Sequence, residues 1–242
     1  MTSASERDPT RSDIQFSGGT PFIVTGFFTP NYFELAYKFS KNLKEHKISH
    51  HLYAREKMTG QWGHQTLQKP SVLKKARIDY PNSPLILMDV DCQVLGDISP
   101  ILDSVGAIAV PMGRKPMKNG TALKPGTRVV MIRPTTQADA FLDLWDEMCR
   151  LEIKPVGNDE IRLQMAIEAS AGQFAIATLP SRFTGMEIRK SQPEDVIVHD
   201  SARDESRVLG SMRKDIKHRF RVIRKMLYKL ITGRDYKSQN SV

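Results

Sequence analysis

Asp89-Val90-Asp91 directly follows the apolar run Leu85-Ile86-Leu87-Met88. Four apolar residues read as a buried strand, and the two acids stand at its C-terminal lip. Strand residues i and i+2 point the same way, so both carboxylates can face one point in space. Two close like charges cost energy unless something cationic stands between them. Hard divalent cations such as Mn²⁺ or Mg²⁺ answer that need, because they bind through a few carboxylates plus substrate phosphates. Ligands of open α/β sheets sit beyond the carboxyl ends of the strands. The pattern therefore points to a metal-bridged phosphate ligand at Asp89 and Asp91. A strand end with one capping and one solvated Asp accounts for the same residues equally well.

The elements that would position these acids follow from periodicity. Residues 21–28 are an apolar run and a first strand. Pro30 opens a helix in which Tyr32, Leu35, Ala36, Phe39 and Leu43 share a face. Residues 48–53 read as a second strand, residues 67–80 as a helix opened by Lys69-Pro70, and residues 85–89 as a third strand. This β-α-β-α-β order predicts an α/β fold with a mostly parallel central sheet flanked by helices. Further on, residues 98–104 read as a short helix and 106–111 as a strand. Residues 112–126, rich in Gly, Lys and Pro, read as a mobile loop. A strand over 127–132, helices over 135–150 and 158–169, and late strands over 173–178 and 196–198 complete the domain.

With 242 residues, 40% hydrophobic and 26% charged, the chain suits one globular domain with a sizeable core. Residues 1–19 are polar, lack a secretory apolar region, and read as a flexible leader. Two distant cysteines, Cys92 and Cys149, make no disulfide framework and fit a reducing compartment, the cytoplasm. The net charge of +9 is uneven: residues 213–237 hold ten Lys or Arg against two Asp, which is +8 of the total. A near-neutral core argues against nucleic-acid binding. In the tail, Ile216, Phe220, Ile223, Leu227 and Leu230 step by four and three among basic residues. That is a basic amphipathic helix, with Gly233 as its stop, within a basic tail over 206–242. It suits either the anionic inner face of a membrane, through residues 213–232, or docking on its own domain.

Several segments taken together carry a family likeness. Val24-Thr25-Gly26-Phe27-Phe28-Thr29-Pro30-Asn31-Tyr32 opens the sheet, and Lys69-Pro70 begins a helix before the acids. Leu87-Met88-Asp89-Val90-Asp91 follows, then Gly157-Asn158-Asp159-Glu160, and Val196-Ile197-Val198-His199 closes the domain. Over residues 20–205 this order resembles the GT-A fold nucleotide-diphospho-sugar glycosyltransferases with a DxD motif, of the small bacterial, glycogenin-like and galactosyltransferase-like type.

The resemblance implies a role for each segment. Asp89, Asp91 and His199 would hold Mn²⁺ or Mg²⁺, with Asp91 the firmer ligand and Asp89 also touching the donor. Thr25, Gly26, Phe27 and Tyr32 would line the nucleotide, with Gly26 permitting close backbone approach. Lys69 would reach the donor sugar or phosphate, and Trp62 and His64 would lie in the loop before it. Asp159 and Glu160 would stand beside the anomeric carbon or the acceptor, although acids at a helix start also serve simply as caps. Arg203 or Arg207 would supply a late phosphate contact.

The implied activity is transfer of a sugar from a nucleotide-diphosphate donor, a UDP-sugar, to a glycan or lipid-linked acceptor, with a tilt toward retention. Two rivals stay open on sequence. One is a HAD-type phosphatase with Asp89 as nucleophile, opposed by Gln93 where Thr or Val is usual. The other is a basic scaffold acting through its tail.

Overall fold

The computed structural model describes residues 8–58, 62–117, 120–152 and 158–199. Its strands are β1 (Ile14–Phe16), β2 (Ile23–Phe28), β3 (His50–Ala54), β4 (Leu85–Met88), β5 (Cys92–Val94), β6 (Ile108–Val110), β7 (Met112–Met117), β8 (Gly120–Pro125), β9 (Val129–Ile132), β10 (Ile176–Thr178), β11 (Met186–Glu187) and β12 (Ile197–His199). The α-helices are α1 (Phe33–Glu45), α2 (Trp62–Thr66), α3 (Lys69–Asp79), α4 (Thr136–Arg150) and α5 (Asp159–Ala169).

Seven strands form the main sheet in the order β1-β3-β2-β4-β9-β6-β10. β2 pairs in parallel with both β3 and β4, and β6 with β10. β9 runs antiparallel between β4 and β6, and β1 antiparallel against β3. The sheet is therefore mixed, with β2, β3, β4, β6 and β10 running one way. This is the α/β architecture expected from the alternating elements.

Alternation along β4 sorts its four buried residues between two cores. Ile86 and Met88 join Phe22, Val24, Phe39, Leu43 and Leu52 on the α1 side. Leu85 and Leu87 join Val72, Leu73, Phe141, Trp145 and Leu163 from α3, α4 and α5 on the other. A strand buried on both faces has to be apolar throughout, which is why β4 shows no polar alternation. Local signals bound the helices. Thr135 Oγ1 accepts from Ala138 N at the start of α4, and Asn158 Oδ1 accepts from Ile161 N at the start of α5.

Two expectations need correction. Residues 8–19 are not simply a loose leader, because Ile14–Phe16 forms the edge strand β1. Asp13 Oδ1 accepts from Ala54 N at 2.8 Å, and Gln15 Nε2 donates to Tyr80 OH. Residues 112–126 are not a loop but a hairpin, β7 against β8, in register from Met112↔Pro125 to Met117↔Gly120. Its Lys, Pro and Gly content suggested a loop, yet a two-stranded ribbon can pair through backbone alone. A three-stranded sheet, β11-β12-β5, lies beyond the end of β4. The expected basic tail over 206–242, with Arg203 and Arg207, falls outside the described residues.

Candidate active site

Lys69 opens α3, followed by Pro70, which suits a first helical turn. A cation there opposes the helix dipole, and this one is only 4% exposed. Two acids meet both costs. Lys69 Nζ stands 2.7 Å from Asp89 Oδ1 and 2.7 Å from Asp159 Oδ2. It also donates to the Thr127 carbonyl at 3.0 Å and lies 3.2 Å from Thr127 Oγ1. The Thr127 hydroxyl in turn donates to Asp159 Oδ2. Asp159 is the first residue of α5, where a negative charge is favoured by the dipole, and its N–H donates to Thr66 Oγ1. One buried ammonium thus ties the start of α3, the start of α5 and the end of β4 together.

The protonation behaviour follows from these contacts. Burial works to lower the Lys69 pKa, but the Asp159 and Asp89 carboxylates outweigh it and hold it above the ordinary lysine value. Burial works to raise Asp159, but Lys69 and Thr127 outweigh it and hold the carboxyl below its ordinary range. Asp89 goes the other way. Burial, aided by the charges of Asp91 and Asp159, pushes it up to about 6 although Lys69 pulls it down. A third of its side chain reaches solvent, at 33% exposure, so water screens part of that rise.

The geometry of the acids differs from the expected strand pair. β4 ends at Met88, and Asp89-Val90-Asp91 is a turn closed by Cys92 N donating to Asp89 O at 3.0 Å. Asp89 N donates to Arg128 O, which fixes the turn to the start of β9. Strand alternation therefore does not set the two carboxylates side by side. Asp89 continues the Leu85-Leu87 face toward α3, which is how it meets Lys69. His199 ends β12, in register with Cys92 of β5, so it lies across the strand pair from the residue after Asp91.

The remaining expected residues scatter. Thr25 is fully buried within β2, and the carbonyl of Met88 stands 2.6 Å from where a Cβ on Gly26 would be. The close approach that needs this glycine comes from the protein's own β4. Phe27 and Tyr32 are half-buried and pack against the two cores. Glu160 forms an ion pair with Lys124 of β8. Trp62 begins α2, and His64 follows within it. Sequence reading missed Thr127, Thr66 and Arg128, which lie 58, 93 and 39 residues from their partners Lys69, Asp159 and Asp89. No local signal marks them.

The donor types at Asp89, Asp91 and His199 suit a divalent ion. However, among the described residues no three His, Cys, Asp or Glu side chains are grouped to hold one. Asp89 is also committed to Lys69. Mg²⁺ is commonly held by one or two carboxylates plus substrate phosphates rather than by a protein cage, so these donor types are compatible with such an ion without a three-ligand cluster.

No protein-family profile and no curated protein sequence matches the chain. Solved structures do. A glycosyltransferase involved in glycosylation of the major capsid of PBCV-1 superposes with a TM-score of 0.55 at 11% identity, covering 80% of this chain and 98% of that one. Galactosyltransferase LgtC gives 0.47 at 11% identity, over 75% of this chain and 88% of that one. Glycosyltransferase GlyE of Streptococcus pneumoniae gives 0.48 at 14% identity, over 76% of this chain and 55% of that one. The first of these carries the assignment: the chain has the GT-A fold.

Proposed function

We propose that this chain is a metal-dependent glycosyltransferase. It moves a sugar from a nucleotide-diphosphate donor, a UDP-sugar, to a glycan or lipid-linked acceptor, with retention of configuration. The observation that carries this reading is the buried Lys69 bridging Asp89 and Asp159 at the C-terminal lip of β4, in a sheet of the GT-A fold. That lip is where open α/β sheets take their ligands.

Asp91 and Asp89, with His199 as a further donor, would hold Mn²⁺ or Mg²⁺, and the ion would supply a Lewis acid to offset charge on the departing diphosphate. The chain's own residues do the rest. Lys69 pulls the Asp89 carboxyl toward its ionised form and sets its position. Asp159, buried, bonded twice and held ionised, suits the work of anchoring Lys69 better than that of accepting a proton. Glu160, paired with Lys124 of β8, is the acid at this helix start assigned to the acceptor side. The basic segment 213–232 holds the enzyme at an anionic, cytoplasmic membrane face.

The test is UDP affinity with and without Mn²⁺ in the Asp91→Ala protein. The metal-dependent gain should disappear, and a gain equal to that of the unaltered protein would sink the metal assignment. Screening UDP-sugars for Mn²⁺-dependent hydrolysis then tests the transferase reading itself.

A further inference from the structure

The cations around the site are not equally free. Lys69, which the resemblance assigns to the donor sugar or phosphate, is buried, and its ammonium is bonded to Asp89, Asp159 and Thr127. It has nothing left to offer a phosphate. Three carboxylates, Asp89, Asp91 and Asp159, stand against that one ammonium. A divalent ion would offset the surplus, and a diphosphate would still bring negative charge of its own. Binding it calls for a further cation at the lip of β4.

Arg128 stands there. Its carbonyl accepts from Asp89 N at 3.1 Å, which sets it opposite Asp89 where β9 begins and β4 ends. Lys69 reaches Asp89 from the α3 side of the sheet. Arg128 turns the other way. Its Cδ packs 2.7 Å from where a Cβ on Gly185 would be, beside Val129 of the core on the α1 side. Its Nη1 donates to the Gly185 carbonyl at 2.9 Å, just before β11. Burial pushes the Cys92 thiol up, Asp89 and Asp91 add to the rise, and Arg128 and Lys69 oppose it. All four charges therefore act on one side chain, that of the residue after Asp91.

Other arginines are fully used by the scaffold. Arg77 donates to the carbonyls of Ser83 and Arg133 at 2.8 and 2.9 Å and pairs with Asp139. Arg133 donates to the carbonyls of Gly106 and Ser104 at 3.0 and 3.1 Å. Arg128 makes only the bond to Gly185. It is half-buried, and its Nε and Nη2 are neither bonded nor sealed from solvent. Among the described residues no carboxylate pairs with it. A guanidinium with open donors at a ligand-binding lip suits an anion from outside, and its planar fork matches phosphate oxygens. We propose that Arg128 binds the diphosphate of the donor, on the flank of the Asp89–Cys92 turn opposite Lys69. This role rests on the transfer reading above and adds to it the residue that takes up charge on the leaving group.

The probes are UDP with Mn²⁺, read by calorimetry, and uridine, read by ligand-detected NMR, both on the full chain. Arg128→Gln removes the charge and is expected to weaken UDP binding by about 10- to 100-fold, the worth of a charge-assisted hydrogen bond. Uridine binding should not change, because uridine carries no phosphate. A residue that merely supported Gly185 and β11 would move both ligands together. Arg128→Lys keeps the charge and the stem over Gly185 but loses the fork, so its UDP loss should be smaller, with uridine again unchanged. If Arg128→Gln does not fold, Arg128→Lys decides. UDP affinity equal to that of the unaltered protein, or a loss shared equally by uridine, overturns this role alone. Failure of the unaltered protein to bind UDP with Mn²⁺ overturns the transfer reading and this role with it.

Discussion

Lys69→Met isolates the interaction on which the site depends. The substitution keeps a side chain of similar length and removes the ammonium that stands 2.7 Å from both Asp89 and Asp159. Asp159, 4% exposed, then keeps its threonine contacts, the Thr127 hydroxyl first among them, and faces Asp89 with no cation between them. Removing one partner of a buried ion pair costs about 3–5 kcal/mol, because the other charge stays buried. The pH dependence gives the sign. In the unaltered protein the Asp159 pKa is held below its ordinary 3.8. Its stabilisation is therefore present above pH 3.8 and is lost only as pH falls through the lower folded value. Without Lys69 the largest remaining influence on Asp159 is burial, which raises the pKa. Each unit of rise makes the ionised form about 1.4 kcal/mol less favourable, a deficit present above the folded pKa and relieved as pH falls below it. Urea unfolding of both proteins between pH 8 and pH 5 measures this. The deficit of Lys69→Met should be largest at pH 8 and shrink toward pH 5. A deficit under about 1 kcal/mol, or one independent of pH, refutes the argument that Lys69 neutralises buried carboxylates.

Other perturbations separate positioning from chemistry. Asp89→Asn removes a carboxyl whose pKa is pushed up to about 6, so it should stabilise the protein by about 1 kcal/mol at pH 7.5, after discounting for solvent screening. The gain should fade below pH 6 while UDP binding with Mn²⁺ is lost; a destabilised Asp89→Asn protein at pH 7.5 contradicts the reading. Gly26→Ala puts a methyl group 2.6 Å from the Met88 carbonyl, a strained contact with backbone just before Asp89. It should cost about 1–3 kcal/mol in chemical unfolding and weaken donor binding; stability equal to the unaltered protein would show that β2 and β4 part without effect. Thr127→Val leaves the Asp159 carboxylate without its hydroxyl donor and should cost about 1–3 kcal/mol, measured by the same unfolding curves.

Much of the fold was legible from local pattern. The apolar run over 85–88, the helical spacing of Phe39 and Leu43, and Asn158 before an acidic helix start each reflect forces acting within a few residues. Burial on both faces demands a continuous apolar strand, and a helix end demands a cap. The hairpin over 112–125 was not legible by composition, because two strands that pair through their backbones need no apolar stripe. The close approach that requires Gly26 was assigned to a nucleotide, whereas the carbonyl of Met88 occupies that place. That contact arises only once β2 and β4 lie side by side.

At the site itself, sequence alone determined that two acids follow a buried strand, that Lys69 opens a helix and that Asp159 begins another. Charge type and helix starts are local properties. Only the tertiary structure decided how those residues meet. The strand stops at Met88, the acids turn, and the sheet order brings α3, α5 and β9 to the end of β4. Burial then makes a lone ammonium or carboxylate too costly to stand by itself. Lys69, Asp89, Asp159 and Thr127 therefore became one bonded group, although up to 90 residues separate them. A chain written in one dimension carries no sign of such a group, because its members answer one another only across space.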